Sequence, residues 1–258
     1  DIAGKVVLVT GGGGGMAREW AEAEAARIGG GTFALAHDVV SRASWAEVKQ
    51  AVEAALGPVD VLCNNAGIAL PFQPLETVSE DLFDRVMAIN VKGVFLGCQA
   101  FMSGMKARRH GHIVNTSSVN GFMPFGSFTT YCASKFAVAG FSEALVQELA
   151  PAGVGVSIRY PGLTRSRMSQ GQVPEMPDDR RAALEAQMMD PLWLGRAVVR
   201  AVEDNRLHII THPDTKDALV APQQAASRHL PQRRGACRAL AVAQQEHVAH
   251  DLGLLLEP

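Results

Sequence analysis

A short run of mostly apolar, β-branched residues, 5–10 (KVVLVT), breaks off at five consecutive glycines, Gly11 to Gly15, and a helix-compatible stretch, 16–28, follows at once. A continuous apolar run of this length reads as a strand buried on both faces, because a half-exposed strand would alternate apolar with polar residues. The glycines then put bare backbone N–H groups at the start of a helix, where unsatisfied donors and the helix dipole favour an anion. Dinucleotide-binding chains use such a junction for pyrophosphate. A glycine loop without a ligand satisfies the same pattern, so the junction constrains fold more tightly than function.

The rest of the chain repeats the alternation. Residues 32–36 form a second apolar run, read as a strand that ends at His37 and Asp38. Ser44 and Glu47 have the spacing of a capping box ahead of a periodic helix (Trp45, Val48, Val52, Leu56) that Gly57 and Pro58 close. Residues 59–63 read as a strand, and Thr77 with Glu80 as a second capping box opening a long helix toward Met105. Strand 112–116, helix 131–150, strand 154–159, helix 194–204 and strand 207–211 complete the series. Strands alternating with helices of ten or more residues imply right-handed crossovers and a mostly parallel sheet covered on both faces. The expectation is a single doubly wound α/β domain over 1–221. Residues 164–190, rich in Pro, Met, Gln and Asp, break the rhythm and are expected to form a flap over a site. Residues 222–258 are expected to be an exposed or partly ordered tail.

Composition excludes several classes. Among 258 residues, 47% hydrophobic and 19% charged, 24 Lys and Arg stand against 26 Asp and Glu. A net charge of −2 supplies no field for a phosphate backbone, so no nucleic acid partner is expected. No run approaches the eighteen or so consecutive apolar residues of a bilayer span, and the first residues lack the pattern of a secretion signal, so no membrane partner and a cytoplasmic location are expected. Cys63, Cys98, Cys132 and Cys237 are scattered, and neither they nor His110, His112, His208 and His212 have metal-ligand spacing. They read as reduced thiols and ordinary histidines, with no metal and no disulfide.

Tyr131 and Lys135 lie four residues apart on a predicted helix and so share a face. An ammonium there stabilises phenolate, lowering a tyrosine pKa of about 10 toward the range useful for proton transfer. A surface i,i+4 pair of no catalytic use has the same spacing. Ser117 and Ser118 end the 112–116 strand, and Asn64-Asn65-Ala66-Gly67 ends another, both at the carboxyl edge, where open α/β sheets bind ligands.

Together these residues resemble the short-chain dehydrogenase/reductase family, NAD(P)-dependent oxidoreductases with a Rossmann-like fold. The likeness rests on the glycine-rich segment at Thr10, Asp38-Val39, Asn64 to Gly67, Asn90 in Asn90-Val91-Lys92-Gly93, Ser118, Tyr131-Cys132-Ala133-Ser134-Lys135 and Pro161-Gly162. The resemblance implies that Tyr131 exchanges a proton with the substrate oxygen, that Lys135 lowers its pKa and binds the nicotinamide ribose, and that Ser118 orients the substrate oxygen. It implies that Asn90 kinks its helix and holds a water linking Lys135 to solvent. Gly11, Gly15 and Met16 would approach the pyrophosphate, Asp38 and Val39 the adenine, and Asn65, Ala66 and Gly67 the adenine ribose. Pro161, Gly162 and Ser166 would flank the carboxamide. It further implies a small alcohol or ketone as substrate and a homodimer or homotetramer.

Two departures stand out. Ala17 replaces the third glycine, a mild crowding. More important, the chain from Thr10 to Asn64 is too short for the family's second strand, whose end normally distinguishes NAD from NADP. The absence of Lys or Arg within the glycine loop leans to NAD, and Arg18 just beyond it leans to NADP. The leading reading is an NAD(P)-dependent oxidoreductase. A binding or regulatory protein of the same fold with little turnover is the second, and epimerase or dehydratase chemistry on a nucleotide sugar the third. Phe122, Met123, Phe125 and Phe128 either line an apolar substrate pocket or pack their loop onto the core.

Overall fold

In a computed structural model, residues 4–12, 31–166, 168–169, 182, 185–186, 188–212 and 215 are described. The apolar runs become β1 (Val7–Val9), β2 (Val61–Asn64), β3 (His112–Thr116), β4 (Gly155–Tyr160) and β5 (His208–Ile210), all parallel and in the order β1-β2-β3-β4-β5. The helices between them are α1 (Arg42–Leu56), α2 (Glu80–Met87), α3 (Gly93–Arg108), α4 (Thr129–Leu149) and α5 (Pro191–Glu203). Side chains alternate across a strand, so the central strands feed cores on both faces of the sheet. Leu62, Ile113 and Val156 pack with Trp45, Phe101, Met105 and Leu149 beneath α1, α3 and α4. Val61 and Val114 pack on the other face with Ala201 of α5 and Ile209. This is the expected parallel sheet with flanking helices, Rossmann-like in architecture.

Buried polar groups fix the register of its centre. The Asn64 amide donates to the Asn115 Oδ1 at 2.9 Å, and the Asn115 amide donates to Ser142 Oγ at 2.9 Å. All three residues are buried, so each bond replaces one that water would otherwise supply, and losing one partner strands the other. The chain therefore ties β2 to β3 and both to α4.

Several expectations change. Helix α1 starts earlier than the Ser44–Glu47 spacing suggests: Ser41 is the N-cap and accepts from the Ser44 N–H, while the Ser44 hydroxyl turns back to the Asp38 N–H. Thr77 belongs to a 3₁₀ turn, and Ser79 caps α2 instead, accepting from the Leu82 N–H. Helices α2 and α3 with the turn between them make one run, Glu80–Arg108, of 29 residues, long and apolar enough to cross a bilayer. Its buried residues, among them Val86, Val94, Leu96, Phe101 and Met105, pack within the fold. Residues 32–36 form no strand, and Phe33 and Leu35 are exposed. Strand β1 is accordingly the edge of the described sheet, not a strand buried on both faces: Val7 and Val9 are 41% and 49% exposed. The predicted helix 16–28, the tail from residue 222 and more than half of the 164–190 flap lie outside the described residues; the described part of the flap includes a bridge between Thr164 and Met189.

The close approach of α3 to the sheet gives a direct test. A Cβ at Gly97 would stand 2.3 Å from Asn64 Oδ1 and 2.8 Å from the Trp45 ring. Both neighbours are buried and held, so Gly97→Ala is expected to lower stability by about 1–3 kcal/mol in urea denaturation. An unchanged midpoint would contradict this packing.

Candidate active site

The carboxyl ends of the strands carry the polar residues, because there the ladder stops and backbone and side chains turn to loops. Thr10 links the first two. Its hydroxyl accepts from the N–H groups of Asn65 and Ala66, each at 3.0 Å, and the Asn65 amide donates to the Thr10 carbonyl at 2.9 Å. Gly11 follows at φ +71°, and a Cβ there would lie 2.9 Å from Ala66 Cα. Only glycine fits this turn, both for its left-handed backbone and for the strand end beneath it.

Asn90 organises the middle. It lies in a π turn, Ala88–Lys92, between α2 and α3; such turns interrupt an α-helix by one residue and recur at functional sites. Its side chain accepts from the Ile68 N–H at 2.8 Å and donates to the Ile68 carbonyl at 2.9 Å and to Ser134 Oγ at 3.0 Å. Ser134 in turn donates to the Tyr131 carbonyl at 2.7 Å. A fully buried amide thus pins the loop after β2 against the first turns of α4. Gly67 is held so close that a Cβ would stand 3.2 Å from Asn90 Oδ1 and 3.5 Å from Lys135 Nζ.

Tyr131, Lys135 and Ser118 are all buried and converge. The Lys135 ammonium donates to the Thr116 carbonyl at the end of β3 at 3.0 Å and stands 5.5 Å from the centre of the Tyr131 ring. Ser118 starts the turn after β3; its hydroxyl accepts from the Asn120 N–H, makes a long contact of 3.4 Å to the Pro161 carbonyl, and is in reach of the Tyr131 phenol as a donor. The electrostatics differ from the sequence expectation. Burial pushes the Tyr131 phenol up to about 12, although Ser118 and the Arg159 guanidinium both favour its phenolate. Burial, with the Arg159 charge second, pushes the Lys135 ammonium down to about 7. In the free protein desolvation therefore outweighs the pairing of phenol and ammonium.

The other candidate residues are less closely gathered. The Asp38 carboxylate accepts from the Val40 N–H two residues on, and Val39 is wedged against Gly93 of α3, where a Cβ would stand 3.0 Å from Val39 Cγ2. Pro161 offers its carbonyl to Val119 and Ser118, and the Gly162 N–H donates to His212 Nδ1 at 3.2 Å. Ser166 is exposed and engaged with Ser169. Gly15 and Met16 lie outside the described residues. Of the loop aromatics, Phe122 packs inward on Tyr160, with centroids 5.2 Å apart, whereas Phe128 lies tilted against Tyr131 at 4.5 Å. Phe72 lies on Phe128 at 4.6 Å and Phe125 on Phe72 at 5.7 Å, so an aromatic row runs from the surface to the phenol. Sequence reasoning passed over Arg159, a cation in a strand whose neighbours Ile158 and Tyr160 are buried; its oddity in an apolar run was the available signal.

These residues fit a nicotinamide dinucleotide. The Gly11 turn and Gly67 leave backbone bare where side chains would clash, and the Arg159 Nε is buried without an acceptor among the described residues. Comparison with known proteins agrees. The profile of the short chain dehydrogenase family matches residues 21–177. A cyclopentanol dehydrogenase of a Comamonas species is 36% identical over 216 residues, 75% of this chain and 84% of that one. A Xanthobacter autotrophicus protein named inactive 2-(S)-hydroxypropyl-CoM dehydrogenase 2 is 37% identical over 176 residues, 68% of this chain and 75% of that one. Among solved structures, a short chain dehydrogenase/reductase from Burkholderia phymatum in complex with NAD superposes with TM-score 0.75 at 25% identity, covering 90% of this chain and 98% of that one.

The buried ammonium makes a pH prediction. Lys135 keeps its proton to about 10.5 in the unfolded chain but only to about 7 in the folded protein. Folding therefore releases a proton between these values, and stability rises with pH across that window, by at most about 1.4 kcal/mol per pH unit. Urea denaturation is expected to show wild type gaining on Lys135→Met between about pH 7 and pH 9.5. Parallel pH profiles would contradict a desolvated ammonium.

Proposed function

The chain belongs to the short-chain dehydrogenase/reductase family, and on that premise we propose that it moves a hydride between NAD(P) and the carbon of a secondary alcohol or ketone, with Tyr131 as general acid/base. The observation that carries this reading is the convergence of the Tyr131 phenol, the Ser118 hydroxyl and the Lys135 ammonium at the carboxyl edge of the sheet. The bound nicotinamide supplies or accepts the hydride. In ketone reduction Ser118 donates a hydrogen bond to the substrate oxygen, holding it and stabilising the charge that develops there. Tyr131 gives that oxygen its proton, and in alcohol oxidation takes one from it. Lys135, fixed by the Thr116 carbonyl, holds the ribose and stabilises the phenolate. Asn90 positions the loop carrying Gly67 and, through Ser134, the turn carrying Tyr131. A water held beside Asn90 connects Lys135 to solvent in this reading.

The aromatic row from Phe125 to Tyr131 favours an apolar substrate, since a polar one would leave its groups unpaired against ring faces. Phe95 on α3 and Phe136 on α4 are exposed, which supports pairing of these two helices with copies of the chain. A second reading, a binding protein with little turnover, draws on the exposed edge at β1, on the adenosine side of the glycine turn.

Absorbance of NADH and NADPH, followed with a panel of cyclic aliphatic and aryl ketones, tests the reading. Turnover is expected with at least one ketone, and Tyr131→Phe is expected to lower kcat by about 10²- to 10⁴-fold while leaving nucleotide binding near wild type. Undiminished turnover in that variant would overturn the mechanism, and binding of nucleotide without turnover of any ketone or alcohol would favour the second reading.

A further inference from the structure

Arg159 points from β4 across the sheet. It pairs in register with Thr116 of β3, and its guanidinium reaches beyond β3 to Asn65 at the end of β2, donating from Nη2 to Asn65 Oδ1. The same Asn65 side chain donates to the Thr10 carbonyl, so a single amide separates the guanidinium from the glycine turn. On its other side the Arg159 charge acts on both the Tyr131 phenol and the Lys135 ammonium. The group thus stands on the path between the glycine turn and the catalytic tyrosine.

Its bonding is incomplete. Nε is buried and has no acceptor, and among the described residues neither Arg159 nor Lys135 is paired with a carboxylate. A guanidinium keeps its charge at any ordinary pH, so it cannot escape burial by neutralising as a lysine can. A desolvated guanidinium without a counter-charge is costly, and an anion arriving beside it recovers part of that cost. In a dinucleotide that spans from the glycine turn to Tyr131, the anionic part is the diphosphate in the middle.

We propose that Arg159 is a diphosphate-binding residue, giving Nε and its remaining N–H groups to phosphate oxygens of the bound nicotinamide dinucleotide from the sheet side, opposite the glycine turn. The site rests on the dinucleotide reading given above. It adds a charged contact to the bare backbone that the Gly11 turn offers. Guanidinium and phosphate match as a fork, with two parallel hydrogen bonds.

The test is nucleotide binding, read apart from turnover. NADH and NADPH fluorescence titrations of wild type, Arg159→Gln and Arg159→Lys are followed by displacement with inorganic pyrophosphate. Loss of charge-assisted hydrogen bonds is expected to weaken binding of the preferred nucleotide by about 10- to 100-fold in Arg159→Gln and less in Arg159→Lys. Pyrophosphate is expected to compete in wild type and not in Arg159→Gln. The free Arg159→Gln protein is expected to melt no lower than wild type, because it has lost a partly buried charge without a carboxylate partner among the described residues; a merely structural arginine would lower the melting temperature and leave pyrophosphate competition intact. Should Arg159→Gln fail to fold, Arg159→Lys with weakened nucleotide binding and weakened pyrophosphate competition supports the site, and wild-type values in it overturn the site. Unchanged nucleotide affinity in the variants, or a rise in KM confined to carboxylate substrates, overturns the diphosphate assignment while the oxidoreductase reading stands. Failure of the wild type to bind either nucleotide overturns both.

Discussion

The Lys135 ammonium rests on the Thr116 carbonyl at the end of β3, sealed from water, and most of the site is arranged around that contact. A buried cation without a carboxylate must be fixed by dipoles, and here the strand terminus supplies one. Four residues back on the same helix, Tyr131 is brought over the strand end by the same turn geometry, and Ser118 comes to the phenol because β3 stops two residues earlier. The site is therefore a product of where one strand ends and one helix begins.

Asn90 supplies the second constraint. One amide, paired on three sides, replaces a regular helical turn with a wider one and locks the loop after β2 to the start of α4. Because all its partners are backbone groups or a neighbouring serine, the lock does not depend on charge. The electrostatics are left to Lys135, Arg159 and Tyr131, whose ionisation is held away from ordinary values mainly by burial. Anionic ligand groups among them would change that balance more than any side-chain rearrangement.

The elements most easily read from sequence were those with strong local signals. Strand β3 matches its apolar run to the residue, and α4, β4, α5 and β5 differ from their runs by one to three residues. Helix starts were misplaced where two hydroxyl residues competed for one cap: Ser41 and Ser44 have similar chemistry, and only the direction of the incoming chain decides between them. The run at 32–36 has strand composition but no strand partner among the described residues, and β propensity without a neighbouring ladder forms nothing. Among site residues, Tyr131, Lys135 and Ser118 were visible as spacing, and Asn90 only through the family resemblance. Arg159 was not, because its importance depends on pairing across strands distant in sequence, and the loss of phenol acidity on burial has no signature in residue order.

The account makes one central claim, that phenol, hydroxyl and ammonium face a bound nicotinamide ribose and ring at the end of β3. Crystals grown with NAD(H) or NADP(H) test it most directly. The claim predicts density for the nicotinamide ribose on Lys135 and Tyr131, with Ser118 facing the open side of the ring. Nucleotide density elsewhere, or a ring turned away from Tyr131, would contradict it.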